Sequence, residues 1–182
     1  MDWIEAAARV VVEACNAHPD DVALDLGCGE GRIAYALAPR VKLVVGVDRD
    51  ASAIRRAQAG APPNVRFEVG DMRSPPRVEG LSVVCVHDAL RFLPPDEQRS
   101  FLRRMAGLLP PRGLLVIGDV MWSMPRAQID APEQYGEGLD HVQNTRTLEN
   151  WTREAGFLPD LHRFGPAIGV LIALRTGDGR AA

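Results

Sequence analysis

A short apolar run that ends in a glycine-rich turn constrains this chain more than any other feature. Residues 22–26 read Val-Ala-Leu-Asp-Leu, the pattern of a strand buried on both faces, and residues 27–31 read Gly-Cys-Gly-Glu-Gly. Glycine allows a tight turn and leaves room for a ligand against the backbone. Apolar residues at helical spacing follow over residues 30–40, so the segment predicts a strand, a turn and a helix N-terminus. This arrangement is typical of a nucleotide-binding corner in a doubly wound α/β sheet.

Two departures from the dinucleotide fingerprint indicate which ligand this corner would take. The fingerprint needs glycine at its first, third and sixth positions, but here Gly31 comes one place early and Arg32 occupies the sixth. Asp25 stands just before the turn, where its carboxylate would repel a pyrophosphate. The sequence therefore favours a ligand with positive charge and no phosphate, and it disfavours a nicotinamide-dependent oxidoreductase.

Two further predicted strands end in residues suited to a nucleoside. Residues 43–47 are apolar and lead into Asp48 and Arg49, about 20 residues past the glycine turn, where a carboxylate can accept hydrogen bonds from ribose hydroxyls. Residues 65–69 form the next strand and lead into Gly70-Asp71-Met72. Asp71 can accept a hydrogen bond from an adenine amine, and Met72 offers a soft apolar surface to the ring. Three successive strands thus predict one ligand site.

Taken in order and spacing, these motifs resemble those of class I S-adenosylmethionine-dependent methyltransferases, in the small-molecule (type 11-like) group. Residues 83–94 are similar to the fourth strand and its loop in that family. Residues 108–119 are similar to its helix end, glycine turn and fifth strand. The resemblance covers roughly residues 20–175, and the ordered set is far more specific than the glycine motif alone.

The resemblance and the alternation of predicted strands and helices imply one Rossmann-like α/β domain over residues 1–182. We expect a doubly wound, mostly parallel seven-stranded sheet with helices on both faces and an antiparallel last strand. The domain would comprise an N-terminal helix in 1–19, a cofactor-binding core in 20–118, a lid over the substrate in 119–146, and a helix with a strand pair in 147–175. Residues 157–164 and 168–175 are predicted to form the last two strands, and the short link Gly165-Pro166 between them favours an antiparallel pair.

The resemblance also implies S-adenosylmethionine as the cofactor. Asp25 would favour its ammonium group, Asp48 would hold the ribose, and Asp71 with Met72 would hold the adenine. Cys28 is interpreted as a small filler rather than a nucleophile, because no His or Asn constellation accompanies it. The full set of predicted cofactor-binding residues is Asp25, Gly27, Cys28, Gly29, Asp48, Arg49, Asp71, Met72 and His87.

His87 is the predicted catalytic residue. It follows the apolar run 83–86, which places it at the ligand-facing end of the fourth strand, and its imidazole can take an acceptor's proton near neutral pH. The alternative is that only its backbone carbonyl matters, with the ring packed aside. Methyl transfer from a sulfonium can proceed by alignment alone, so both interpretations stay open.

The segment 119–146 has no sustained hydrophobic period and leaves the sheet at the predicted ligand edge. It is interpreted either as a lid that shapes the acceptor pocket or as a surface excursion whose Trp and Met side chains pack on the core. Asp119 contacts substrate or caps the turn that follows it. The predicted pocket residues are Arg91, Asp119, Trp122, Tyr135 and His141.

Composition narrows the class of partner. The formal net charge of −3 argues against a broad nucleic-acid surface, and the fourth strand lacks the Asn-Pro-Pro-aromatic block of nucleic-acid methyltransferases. No apolar run approaches the ~20 residues needed to span a bilayer, and no His pair has metal-ligand spacing. The expected partner is a small-molecule acceptor in the cytoplasm, and a homodimer is compatible with the sequence. Leu90-Arg91 leaves a quinone-type C-methyltransferase as an alternative, and a non-catalytic S-adenosylmethionine-binding module is another.

Overall fold

The computed structural model describes residues 3–164 and 167–177. Its centre is a seven-stranded sheet in the order β3-β2-β1-β4-β5-β7-β6, in which β7 runs antiparallel to both of its neighbours. The remaining pairings are parallel. The strands are β1 (Val22–Leu26), β2 (Leu43–Asp48), β3 (Val65–Val69), β4 (Leu81–His87), β5 (Leu114–Val120), β6 (Phe157–Phe164) and β7 (Ile168–Arg175).

Helices cover both faces of this sheet, as the sequence predicts. On one face, α1, α2 and α3 pack on the strands through side chains such as Val11, Ile33 and Ile54. On the other face, α4 and α5 do so through Phe101, Met105 and Leu148. The helices are α1 (Trp3–Ala14), α2 (Arg32–Leu37), α3 (Ala51–Gln58), α4 (Pro95–Leu108) and α5 (Thr145–Glu154). The Rossmann-like fold class is confirmed.

Local chemistry explains where the helix boundaries differ from the periodicity. The helical pattern over 30–40 continues as a 3-10 turn (Ala38–Arg40) after α2, since Pro39 has no backbone N–H to donate. The last helix begins at Thr145, two residues before its apolar pattern, because the side chain of Asn144 caps it by accepting from Arg146 N. The strands β6 and β7 pair over their full predicted lengths, while the link Gly165-Pro166 lies outside the described residues.

The topology places the functional edge. Strands β1 to β4 are parallel, so their carboxyl ends meet at the same edge of the sheet. The direction in which successive strands are added reverses at β1, which has β2 on one side and β4 on the other. Ligands of open α/β sheets bind at such a reversal point. Within the described residues, no helix is long and apolar enough to cross a membrane.

Candidate active site

The glycine turn is tied to the neighbouring strand by its backbone. Gly27 N and Cys28 N both donate to the carbonyl of Val47, at 2.8 and 3.1 Å. Gly27 has φ +74, and a Cβ there would lie 2.5 Å from the Cβ of Ala89, so only glycine fits. Gly29 N donates to Asp48 Oδ2 at 2.8 Å. Because these N–H groups are already used, the turn is poorly prepared to bind a phosphate, in agreement with the sequence prediction.

A cavity of about 820 Å³ lies at the carboxyl edge of the parallel strands. Every residue predicted to bind the cofactor lines it, including the residues that follow β2 and β3. The sequence therefore identified which residues the fold brings together: Asp25, Gly27, Cys28, Gly29, Asp48, Arg49, Asp71, Met72 and His87.

The carboxylate of Asp48 is held at the end of β2 by two backbone groups. Its Oδ2 accepts from Gly29 N, and its Oδ1 accepts from Asp50 N at 2.8 Å. Each carboxylate oxygen can accept a second hydrogen bond. Asp48 is therefore fixed in position and retains capacity for two further donors, such as the two hydroxyls of a ribose.

Asp25 is a buried carboxylate, with only 1% of its surface exposed. Its Oδ2 accepts from Ala34 N in the first turn of α2 at 3.1 Å, while its Oδ1 has no hydrogen-bond partner among the described residues. Burial raises the pKa of this carboxyl to about 7. Asp25 thus caps α2 with one oxygen and leaves the other for a donor or cation that enters the cavity.

Asp71 is engaged by the nearby Arg73. The guanidinium forms a fork, with Nε 2.8 Å and Nη2 2.5 Å from Oδ2, and Arg73 N donates to Oδ1 at 2.8 Å. These hydrogen bonds hold the pKa of Asp71 below its usual range. Arg73 also lies 3.6 Å from a carboxylate oxygen of Glu97, on α4. Asp71 is therefore ionised and is an acceptor only, beside the half-buried Met72.

His87 is 8% exposed and lines the cavity from the end of β4. Burial lowers the pKa of its imidazole, so the ring is neutral at neutral pH. Its Nε2 has no hydrogen-bond partner in the described part of the chain. Burial also raises the pKa of the Cys28 thiol, so that sulfur is a neutral thiol and not a nucleophile.

The residues predicted to form the acceptor pocket do not line this cavity. Arg91 is 4% exposed and forms an ion pair with Asp119, with 2.7 Å between Arg91 Nη1 and Asp119 Oδ1. Asp119, which lies within β5, also accepts from Val120 N at 2.7 Å. Burial raises the pKa of Asp119, and Arg91 opposes this shift. None of the five predicted residues is among the described residues of the cavity wall: Arg91, Asp119, Trp122, Tyr135 and His141.

The other three of these residues belong to a packed excursion after β5. Trp122 is buried in a small apolar cluster and contacts Tyr135 edge to face, with 6.1 Å between ring centroids. The carbonyl of His141 accepts from Gln98 Nε2, on α4, at 2.8 Å. Within the described part of this segment, Glu137 alone reaches the cavity wall. The alternative of a surface excursion describes this packing, and the lid stays a prediction.

Several cavity residues escaped the sequence reasoning. Arg32, which departs from the dinucleotide fingerprint, lies on the cavity wall. The wall also includes Asp88, Phe92 and Glu137. Asp88 directly follows β4, so the expectation that residues at the carboxyl ends of the parallel strands line the site could have identified it. Glu137 lies between two glycines of an aperiodic loop, where no sequence pattern indicates a direction. No cluster of His, Cys, Asp or Glu among the described residues has the arrangement of a metal site.

Comparison with known proteins gives a consistent result. Residues 23–113 match the family model described as a methyltransferase domain. An uncharacterised methyltransferase of Mycobacterium tuberculosis is 37% identical over 98 residues, covering 52% of this chain and 48% of that protein. The trans-aconitate 2-methyltransferase of Deinococcus radiodurans is 34% identical over 171 residues, covering 92% of this chain and 58% of that protein.

A solved structure agrees in fold. The human N-acetylserotonin methyltransferase in complex with S-adenosylmethionine superposes with a TM-score of 0.76 at 16% identity, covering 93% of this chain and 51% of that chain. The chain spans about half the length of the curated relatives it matches. A structural match at 16% sequence identity establishes the fold, whereas the reaction has to be argued from the residues of the site.

Proposed function

Because the chain belongs to the class I S-adenosylmethionine-dependent methyltransferases, we propose that it transfers a methyl group from S-adenosylmethionine to a small-molecule acceptor. The observation that carries the proposal is the cavity of about 820 Å³, on whose wall the ends of β1, β2, β3 and β4 converge. A volume of this size suits a cofactor together with a small acceptor.

The polar groups of the cavity fit the cofactor from one end to the other. Asp25 Oδ1, buried and without a partner among the described residues, suits the methionine ammonium. Arg32, at the first position of α2, suits the methionine carboxylate. Asp48 suits the ribose hydroxyls, and Asp71 suits the adenine amine, with Met72 against the ring.

The protein's contribution to the reaction is mainly alignment. When bound, S-adenosylmethionine supplies a methyl group already activated by its sulfonium. The residues of the cavity hold an acceptor atom in line with that methyl group and exclude water. We assign His87 the role of general base, since its neutral imidazole can accept a proton from an acceptor that is still protonated when it attacks.

A binding measurement and an acceptor screen test this proposal. S-adenosylmethionine and S-adenosylhomocysteine should each raise the melting temperature (Tm), because both bind the native state in preference to the unfolded one. NAD serves as the matched control, since the turn departs from the dinucleotide fingerprint. A panel of amines, phenols, thiols and carboxylic acids, with trans-aconitate among the acids, is then assayed for release of S-adenosylhomocysteine. Absence of a Tm shift with either sulfur nucleoside would refute the proposal.

A further inference from the structure

Charge is distributed unevenly around the cavity. Among the described residues, seven carboxylates and three arginines line it. Arg73 pairs with Asp71, and the charge of Arg49 also acts on Asp71, so both lie towards the proposed adenine end. Arg32 follows the glycine turn, where it suits the methionine carboxylate. The wall formed by the β4 end and the excursion after β5 then presents Asp88 and Glu137, and no arginine or lysine from these two segments lines the described cavity.

Asp88 is held in an unusual position beside His87. Its φ of +57 is rare for a residue with a side chain, and its N–H donates to the carbonyl of Gly118 at 2.8 Å. Its carboxylate pairs with Arg91, which also pairs with the buried Asp119. One guanidinium therefore serves two carboxylates, so the formal charge of the three groups is −1 when both carboxylates are ionised.

Glu137 is anchored through its backbone and leaves its side chain available. Its carbonyl accepts from Arg91 Nε at 2.8 Å. The next residue, Gly138, has φ +73, and a Cβ there would lie 2.9 Å from Phe92 Cδ1, so the turn packs closely on that ring. Glu137 is exposed and lines the cavity. A fixed backbone thus places an acidic residue on the cavity wall.

Two further groups on this wall indicate a ligand. Phe92 is 42% exposed although it lines the cavity, and Arg91 already places its guanidinium 4.8 Å from the ring centroid. Aromatic faces attract cations at exposed as well as at desolvated sites. His87, more than nine-tenths buried on the same wall, has an Nε2 without a partner among the described residues. An unsatisfied polar side chain in such a place needs a partner from elsewhere.

We propose that Asp88, Glu137 and Phe92 form a cation-recognition subsite, and that the acceptor carries a protonated amine or a quaternary ammonium group. The inference rests on the proposed function, because it concerns the acceptor end of the same cavity. The ammonium group would lie between the two carboxylates and against the aromatic ring. Arg91 is the positioning residue of this subsite, since it contacts all three of its members and does not itself line the cavity.

The test uses a cationic probe on the protein saturated with S-adenosylhomocysteine. Benzyltrimethylammonium should bind, with an affinity that falls as salt concentration rises, whereas phenylacetate, of similar size and opposite charge, should bind more weakly. Glu137→Gln should weaken the cationic probe about threefold to tenfold, because it removes one charge and keeps the size of the side chain. Glu133→Gln is the matched control, since Glu133 is exposed in the same segment and does not line the cavity.

The outcomes separate this inference from the proposed function. Calorimetry with S-adenosylhomocysteine on every variant reports on the cofactor end alone. If that ligand binds normally while phenylacetate binds as well as the cation, or while Glu137→Gln leaves the cation's affinity unchanged, the cation subsite is wrong and the proposed function stands. If S-adenosylhomocysteine does not bind the unsubstituted protein, the proposed function fails and the inference fails with it.

Discussion

The two ends of the cavity are built by different means. At the proposed cofactor end, Asp25, Asp48 and Asp71 each lie in or just after a parallel strand, and the topology brings them together. At the acceptor end, Arg91 joins Asp119 and Glu137, which are 28 and 46 positions away in the sequence. A strand end is a local feature that repeats along the chain, whereas a buried cross-link depends on the whole packing. A strand end can therefore be recognised as a sequence motif, whereas a buried cross-link cannot.

Two buried carboxylates show the same contrast. Asp25 and Asp119 are equally buried, at 1% exposure. Asp25 keeps one oxygen without a partner in the described residues, whereas both oxygens of Asp119 accept hydrogen bonds, from Arg91 and Val120. A buried carboxylate with a free oxygen can bind a ligand, whereas one that is paired with a buried cation stabilises the fold as long as the pair is intact. Burial by itself therefore does not identify a binding residue.

Substitution of His87, which lines the cavity from the end of β4, should have the largest effect on turnover. With an acceptor found by the screen, His87→Gln should lower turnover by about 10²–10⁴-fold, because glutamine keeps polarity but cannot act as a base. Burial lowers the imidazole pKa below 6.5, so turnover of the unsubstituted enzyme should be flat above neutrality and should fall in more acidic buffer, as the ring becomes protonated.

The affinity for S-adenosylhomocysteine, measured by calorimetry, should not change in His87→Gln. The exposed His18→Gln serves as the control for turnover. Turnover within a few-fold of the unsubstituted enzyme across the pH range would leave His87 as a wall residue of the cofactor end.

Arg91→Met tests whether the acceptor end depends on its buried cross-link. The substitution leaves Asp119 buried without its cation, which should cost about 3–5 kcal/mol of unfolding free energy. Denaturant unfolding measures this loss, and Arg91→Lys should recover part of it. Arg126→Met, which removes an exposed ion pair with Asp140, should leave the unfolding midpoint unchanged. Equal midpoints for Arg91→Met and Arg126→Met would mean that the cross-link does not stabilise this end.

Asp48→Asn tests whether the carboxylate at the end of β2 binds the ribose of the cofactor. It removes a charged acceptor from the ribose site and should weaken S-adenosylhomocysteine about tenfold to a hundredfold. Asp50→Asn is the matched control, because Asp50 lies two residues further on, does not line the cavity, and caps α3 in a way that asparagine preserves. Calorimetry that gives the same affinity for the two variants would contradict the assignment of Asp48.

Asp25→Asn should raise stability, unlike the other substitutions. The folded pKa of about 7 lies above the ordinary value of 3.8, so ionisation opposes folding increasingly as pH rises from 3.8 to 7, and fully above 7. Asparagine removes this cost and can still accept from Ala34 N. The Tm of the ligand-free variant should exceed that of the unsubstituted protein by on the order of 5 °C above pH 7, and by less near pH 5.

The same variant should bind S-adenosylmethionine more weakly, since the ammonium group loses its counter-charge. The exposed Asp20→Asn is the control for both measurements. A Tm difference that does not grow with pH would show that Asp25 is not a strained acid in the ligand-free protein.

How far the sequence could be interpreted follows from these contacts. The end residues of β6 and β7 match the prediction, because Gly156 and the Gly165-Pro166 link bound the two runs in the sequence. Every predicted cofactor residue lines the cavity, because the carboxyl ends of parallel strands meet at one edge of the sheet. Arg91, Asp119 and Trp122 were placed in the acceptor pocket because they follow β4 and β5. Their positions in or after these strands agree with the expectation. However, the side chains of Arg91 and Asp119 form an ion pair, and that of Trp122 packs in an apolar cluster.

The sequence by itself determined the order of strands and helices, the cofactor edge and the carboxylates that face it. Each of these depends on spacing along the chain, and a parallel sheet converts such spacing into position. The tertiary structure alone decided which polar residues beyond β4 reach the cavity. There, a buried charge requires a partner, so Arg91 pairs with both Asp119 and Asp88, and of these three residues only Asp88 lies on the cavity wall, together with Glu137.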